Sequence, residues 1–211
     1  MKIALRQIGK KFGREWIFSK LDWQFETGTP TAITGHNGSG KSTLLHIIAA
    51  IHPPTKGEVS YAIDGKDIPA DDIFRYMSMA APYMELIEEF SLEEAIRFHF
   101  RFKSMRKPMA TRDLAAQIML DHALHKPVRD FSSGMKQRLR LGLAFHSNTP
   151  VLLLDEPTSN LDRAGFEWYM SQIEPLLKNT CIIIGSNQPE EYSFCNDQLD
   201  VNSFKKKKRF F

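Results

Sequence analysis

The stretch Gly35-His36-Asn37-Gly38-Ser39-Gly40-Lys41-Ser42, with Thr43 after it, constrains this chain more than any other feature. It fits G-x-x-x-x-G-K-[ST]. A β-branched run, Thr31–Thr34, precedes it, and a helical apolar stripe, Ser42–Ile51, follows and stops at Pro53-Pro54. A triphosphate is a dense anion, and consecutive backbone amides wrap it only where side chains do not intrude. Gly35, Gly38 and Gly40 permit the tight curve, with His36, Asn37 and Ser39 between them. The helix after the loop points its unsatisfied amides and positive dipole end at the phosphates. Lys41 is expected between the β- and γ-phosphates as a point charge, and Ser42 on Mg²⁺. Strand, glycine loop and helix in that order predict an α/β fold that binds a triphosphate.

A second anchor lies far down the chain. Val151-Leu152-Leu153-Leu154 is a continuous apolar run of the kind a buried parallel sheet uses, and Asp155-Glu156-Pro157 ends it. That places two carboxylates at the C-terminal edge of the sheet, where open α/β sheets bind their ligands. Asp155 is expected to hold Mg²⁺ through water, and Glu156 to polarise an attacking water. Carboxylates at a strand end are a weak signal alone; paired with the phosphate loop they describe a nucleotide hydrolase.

The remaining pattern supplies the frame. Lys2–Ile8, Trp16–Phe25, Val59–Ile63, Phe74–Met79 and Cys181–Ile184 read as strands, with a turn at Asp64-Gly65 and a last edge strand over Gln198–Phe204. Helices are expected over about Leu92–Lys103, opened by the capping box Ser91-Leu92-Glu93-Glu94, and over Thr111–His122, Met135–His146 and Asp162–Leu177. The expectation is one domain over 1–211, a mainly parallel sheet with an N-terminal antiparallel β portion. A helical subdomain is inserted near 82–134, and a basic tail occupies 205–211.

Composition removes other classes. No apolar run approaches the ~18 residues of a membrane helix. Basic residues number 28 against 25 acidic, a net +3. Five of the basics form Lys205–Arg209, so the body has 23 against 25, or −2, and no nucleic-acid partner is indicated. Cys181 and Cys195 fit no metal spacing and are expected as reduced thiols in a cytosolic compartment. The seven histidines show no common ligand spacing.

The order of motifs resembles the nucleotide-binding domain of the ABC-transporter ATPases over essentially the whole chain. Phe131-Ser132-Ser133-Gly134-Met135-Lys136-Gln137-Arg138 is similar to the family signature L-S-G-G-Q and its basic continuation. Ser159-Asn160-Leu161-Asp162 matches the S-x-L-D loop that follows, and Phe12 sits where the family stacks an aromatic on adenine. The resemblance implies a head-to-tail dimer, a homodimer in the simplest case, in which Ser132, Ser133 and Gly134 of one copy face the γ-phosphate held by the other. It implies ATP and Mg²⁺ as ligands. It also implies a separate membrane-spanning permease, reached near Tyr83–Met105, and a place on the inner face of the cell membrane.

Two residues depart from the family pattern. A glutamine that ligates Mg²⁺ is replaced by Ala80, or Ala81, after the Phe74–Met79 strand. A histidine that contacts the γ-phosphate is replaced by Asn187. Losing a donor aimed at transition-state charge typically costs ~10²–10³ in rate, so a slow ATPase is expected. A regulatory ATP-binding module, or a non-transport ABC ATPase with weak hydrolysis, is the alternative. For the tail a frayed, solvated terminus is expected, with contact with anionic lipid as the alternative.

Overall fold

A computed structural model describes residues 1–205. Two sheets form the frame. The first is antiparallel, built from β1 (Lys2–Phe12), β2 (Glu15–Glu26), β4 (Lys56–Ile63) and β5 (Lys66–Ile68) in the order β2-β1-β4-β5. The second contains β3 (Thr31–Thr34), β6 (Met77–Ala80), β7 (Val151–Asp155), β8 (Cys181–Gly185) and β9 (Asp197–Asp200). Its order is β6-β7-β8-β3-β9, and every pairing is parallel.

The apolar runs divide between the two faces of this sheet with a period of two. Leu152, Leu154, Ile182 and Ile184 enter one core, which also holds Leu92, Ile96, Phe145 and Tyr169. Val151, Leu153, Cys181 and Ile183 enter the other, with Leu44, Ile48, Phe18 and Phe25. A strand buried on both faces gives a continuous apolar sequence, which is why β7 and β8 are readable without alternation. The helices are α1 (Lys41–Ile48), α2 (Leu92–His99), α3 (Thr111–Gln117), α4 (Ser133–His146) and α5 (Arg163–Ile173). Ser91 makes the expected capping box: its hydroxyl accepts from the Glu94 amide, and its own amide donates to the Glu94 carboxylate.

Several boundaries differ from the sequence expectation, each for a tertiary or backbone reason. Phe74 is not in a strand: Ala70–Tyr76 forms a 3₁₀ turn that buries Ile73 and leaves Phe74 exposed, so β6 starts only at Met77. The last strand stops at Asp200, whose carboxylate accepts from the Asn202 amide and caps a 3₁₀ turn over Val201–Phe204. Helix α1 ends at Ile48 because Ala50 turns left-handed (φ 55°) and the Ile51 amide folds back onto the His46 carbonyl. Helix α3 ends at Gln117 the same way: Met119 turns left-handed (φ 62°) and the Leu120 amide donates to the Ala115 carbonyl. Neither stop contains the glycine that ordinarily announces it. Helix α2 stops at His99, four residues early, while the Lys103 ammonium reaches the carbonyls of Phe74 and Met77. Helix α5 is shorter than expected, passing into a 3₁₀ turn over Glu174–Leu176. The tail expectation falls on residues of which only Lys205 is described; the rest lies outside.

Candidate functional site at the carboxyl edge of the parallel sheet

Strands β3, β7 and β8 are neighbours or near neighbours, so their carboxyl ends meet at one edge. Asp155 stands in register with Gly185. The Glu156 amide donates to the Gly185 carbonyl at 2.8 Å, and the Ser186 amide to the Ile33 carbonyl at 3.1 Å. These cross-links bring together the phosphate loop after β3, the carboxylates after β7 and Asn187 after β8.

Gly35–Gly40 closes into a tight loop, with the Ser39 amide donating to the His36 carbonyl at 2.9 Å. Lys41 is buried, and its ammonium donates to the Gly35 carbonyl at 2.9 Å and the His36 carbonyl at 3.5 Å. It therefore lies across the concave side of the loop, where a phosphate would be gripped. Gly40 sits at φ 108°, and a Cβ there would lie 2.5 Å from Ile17 Cγ2. The antiparallel sheet thus presses on the loop, and only glycine fits between them. The hydroxyl of Ser39 is buried without a partner. His36 contacts Lys205, the first residue of the basic run, at 3.0 Å.

Asn187, expected on the γ-phosphate side, does reach the loop: its amide donates to Asn37 Oδ1 at 3.0 Å. Glu156 is held at φ 42°, a left-handed conformation that costs a non-glycine residue ~1–2 kcal/mol. Strain of this kind persists where surrounding bonds over-determine the backbone, here the bond to Gly185.

Asp155 is almost fully buried, at 1% exposure. One of its oxygens, Oδ1, is buried with no partner and lies toward Gly185, 2.9 Å from where a Cβ on that glycine would be. The other, Oδ2, accepts from the Tyr83 hydroxyl at 2.9 Å. Tyr83 is also 3.1 Å from His46 Nε2, and its phenol lies close to the Ser42 hydroxyl. Burial, then the Asp155 charge, pushes the phenol well above the ordinary tyrosine range. His46 is lowered by burial and then by His52, against the raising effect of Asp155. Ser42 and Asp155 are hard oxygen donors that share one hydroxyl neighbour. That set suits Mg²⁺, which takes one or two protein ligands plus phosphate and water rather than an all-protein cage. Accordingly, among the described residues no cluster of three acidic, histidine or cysteine side chains forms a cage.

Ala80 and Ala81 are both fully buried and offer no polar atom to this edge. The first polar side chain to reach it after β6 is Tyr83, which the sequence reading placed in a docking region instead. The signal was present in the polar aromatic two residues after Ala81, but its direction was not. Two further contributors were missed. Glu191 is fully buried; it accepts from the Thr158 amide at 2.9 Å and from the Thr158 and Ser186 hydroxyls, joining the loops after β7 and β8. Gln137 on α4 donates to the Pro157 carbonyl at 2.8 Å, tying that helix to the Asp155–Pro157 loop.

The remaining expected residues lie elsewhere in the chain. Ser132 caps α4 by accepting from the Met135 amide at 3.2 Å, so the helix begins at Ser133 rather than Met135. Ser132, Ser133, Gly134, Asn160 and Asp162 line one open cavity of about 300 Å³. A Cβ on Gly134 would lie 2.9 Å from the Asn160 carbonyl oxygen, so the two loops meet closely there. Asp162 accepts from the Gly165 amide at 2.8 Å and pairs with Arg138 at 3.0 Å; the first of these, then Arg138, holds its carboxyl below the usual range. Phe12 is 54% exposed near the β1–β2 turn, with the Lys10 ammonium 5.3 Å from its ring centre. Cys181 and Cys195 are free and buried, their thiols pushed up to about 12 by burial.

The sequence model of a family described as "ABC transporter" matches residues 18–159. "Uncharacterized ABC transporter ATP-binding protein YybJ" of Bacillus subtilis is 27% identical over 203 residues, covering 95% of this chain and 92% of the relative. "Cytochrome c biogenesis ATP-binding export protein CcmA" of Bradyrhizobium diazoefficiens is 33% identical over 183 residues, 86% of this chain and 88% of the relative. A solved structure described as the dimeric structure of MJ0796, a bacterial ABC transporter cassette, superposes with a TM-score of 0.80 at 24% identity. It covers 99% of this chain and all of that one, a likeness of fold.

Proposed function

This chain belongs to the ABC transporter family, as an ATP-binding domain of its ATPases, and from that premise we propose that it hydrolyses ATP with Mg²⁺ to drive a separate membrane permease. The observation that carries the reading is the meeting of Lys41, Asp155, Glu156 and Asn187 at one sheet edge, held by backbone bonds between β3, β7 and β8. Gly35–Thr43 cradle the phosphates and Lys41 exchanges its bonds to the loop carbonyls for phosphate oxygens. Ser42 and Asp155 would hold the cation, which would neutralise phosphate charge. Glu156 orients the attacking water, and the Asn187 amide is the donor on the γ-phosphate side. Phe12 offers an exposed ring for the adenine. Because an amide replaces an imidazole, turnover is slow.

Ser132, Ser133 and Gly134 have no phosphate within their own chain in this reading. They complete the site of a second copy, head to tail, with Asp162 beside them. Residues 1–211 act as one nucleotide-binding unit with the 82–134 segment as its helical insert. The permease contact is supported by an open apolar cavity of about 400 Å³. Ile51, Phe74, Met79, Met84 and Leu86 line it, and Ile51 and Phe74 are more than half exposed. Met84 and Leu86 directly follow Tyr83, so an apolar segment of the permease seated there would touch the strand of chain that reaches Asp155. Through that partner the chain would sit on the cytoplasmic face of the membrane; among the described residues no helix is long and apolar enough to cross it.

The test is Glu156→Gln in the purified chain. Phosphate release should stop while ATP binding persists and a dimer forms in Mg²⁺ and ATP. A particle that stays monomeric with saturating Mg²⁺-ATP, alone and with its permease, removes the composite site. Wild-type protein that binds ATP and releases no phosphate supports the regulatory reading instead.

A further inference from the structure

We propose that the Tyr83 hydroxyl sits in the seat of the divalent cation, between Ser42 and Asp155, and must be displaced for the cation to enter, so that Tyr83 gates metal-dependent nucleotide binding. The inference rests on the assignment of Ser42 and Asp155 to the cation made above. A phenol has one proton, and here it goes to Asp155 Oδ2 at 2.9 Å. Its lone pairs then face His46 Nε2 at 3.1 Å, with the Ser42 hydroxyl close by. The hydroxyl therefore occupies the Asp155 oxygen that the cation needs and lies close to Ser42, and its contacts are satisfied without the cation.

The alternative carboxylate oxygen gives no second route. Asp155 Oδ1 is buried beside Gly185, so Oδ2, which the Tyr83 hydroxyl holds, is the oxygen left to an incoming group. A neutral phenol donating to that oxygen and a cation or its water drawing on it compete for one face. Because its one proton is given to that oxygen, the phenol acts as a plug and not as a ligand to the cation.

The structure also provides somewhere for the ring to go and something for it to move. A cavity of about 390 Å³ borders Tyr83, lined further by Glu89, Lys136 and Arg140. The Arg140 guanidinium donates to the Met84 carbonyl at 2.7 Å, and Lys136 pairs with Glu88. Both basic residues lie on α4, the helix capped by Ser132. Withdrawal of Tyr83 would pull on the segment 84–88 and, through it, on the helix that carries the signature.

The test is the affinity of the full chain for ATP, measured by calorimetry in EDTA and across a Mg²⁺ titration, with Mn²⁺ paramagnetic resonance as a direct readout of bound metal. Tyr83→Phe keeps the ring and removes the plug. The affinity in EDTA should stay unchanged, while the gain on adding Mg²⁺ rises by about tenfold or more, the scale of one charge-assisted hydrogen bond. The Mn²⁺ titration should show the same tightening. Tyr83→Met, which withdraws the aromatic ring as well, should shift in the same direction. A gain that falls would make the phenol a holder of the cation, and an unchanged gain would make it a bystander; either overturns the gate. Wild-type protein with no ATP affinity in either medium would instead overturn the nucleotide reading itself.

Discussion

The backbone at Glu156 offers a test that separates strain from chemistry. Its φ of 42° is left-handed, and such a conformation costs a residue with a Cβ ~1–2 kcal/mol. Glycine escapes that cost but loses ~0.4–1 kcal/mol through the freedom it adds to the unfolded chain. Comparing Glu156→Gly with Glu156→Ala therefore isolates the strain, since both remove the carboxylate and both keep the 2.8 Å amide bond to Gly185. The glycine variant should be more stable than the alanine variant by ~0.5–1 kcal/mol, which in a chain of this size is a rise of about 1–4 °C in Tm. Both should lose turnover by ~10²–10⁴, the usual contribution of a positioned base. The assays are thermal melting by circular dichroism without nucleotide, and phosphate release at saturating ATP. If the glycine variant melts at or below the alanine variant, the turn at Glu156 is unstrained and its conformation says nothing about function. If either variant keeps wild-type turnover, Glu156 is not the water-orienting group.

Other outcomes follow from the same geometry. Asn187→Ala should lower turnover, whereas Asn187→His should raise it if the amide is the weaker donor; equal rates for Asn187→Ala and wild type would take Asn187 out of the γ-phosphate contact. Gly40→Ala places a Cβ 2.5 Å from Ile17 at φ 108° and should abolish ATP binding in a calorimetric titration, because the loop cannot keep its curve. Ser132→Arg should leave the monomer folded but prevent the ATP-dependent dimer of the Glu156→Gln background, read by sedimentation. Finally, His99 is pushed down to about 4 by burial and then by Lys103; its Nε2–H donates to Ser147, whose own proton goes to Leu143. Above its ordinary 6.5 both folded and unfolded forms are neutral. As pH falls from 6.5 towards 4 only the unfolded chain takes up the proton, so folding should lose stability across that window, by about 3 kcal/mol in all. Urea titrations at pH 7, 5.5 and 4 should show the loss, and His99→Gln should flatten it.

The sequence by itself determined whatever depends on local chain chemistry or on burial from both sides. A glycine loop before Lys41 can wrap an anion whatever surrounds it, and Val151–Leu154 and Cys181–Ile184 read as interior strands because every one of those positions is apolar. The capping box at Ser91 is local and was legible for the same reason. The tertiary structure decided where polar groups from distant segments converge. Tyr83 is 72 residues from Asp155, and its direction depends on the buried Ala80 and Ala81 turning the chain over the end of β7. Glu191 reads as a surface acid in a polar stretch, yet it is enclosed by the loops after β7 and β8, and only their approach supplies its donors. The left-handed stops at Ala50 and Met119 were equally unreadable, because backbone hydrogen bonds rather than residue type close the helix there. Short-range preferences act through a few bonds and leave a mark in composition; side-chain meetings across the fold are set by the sheet order, which no stretch of the chain contains.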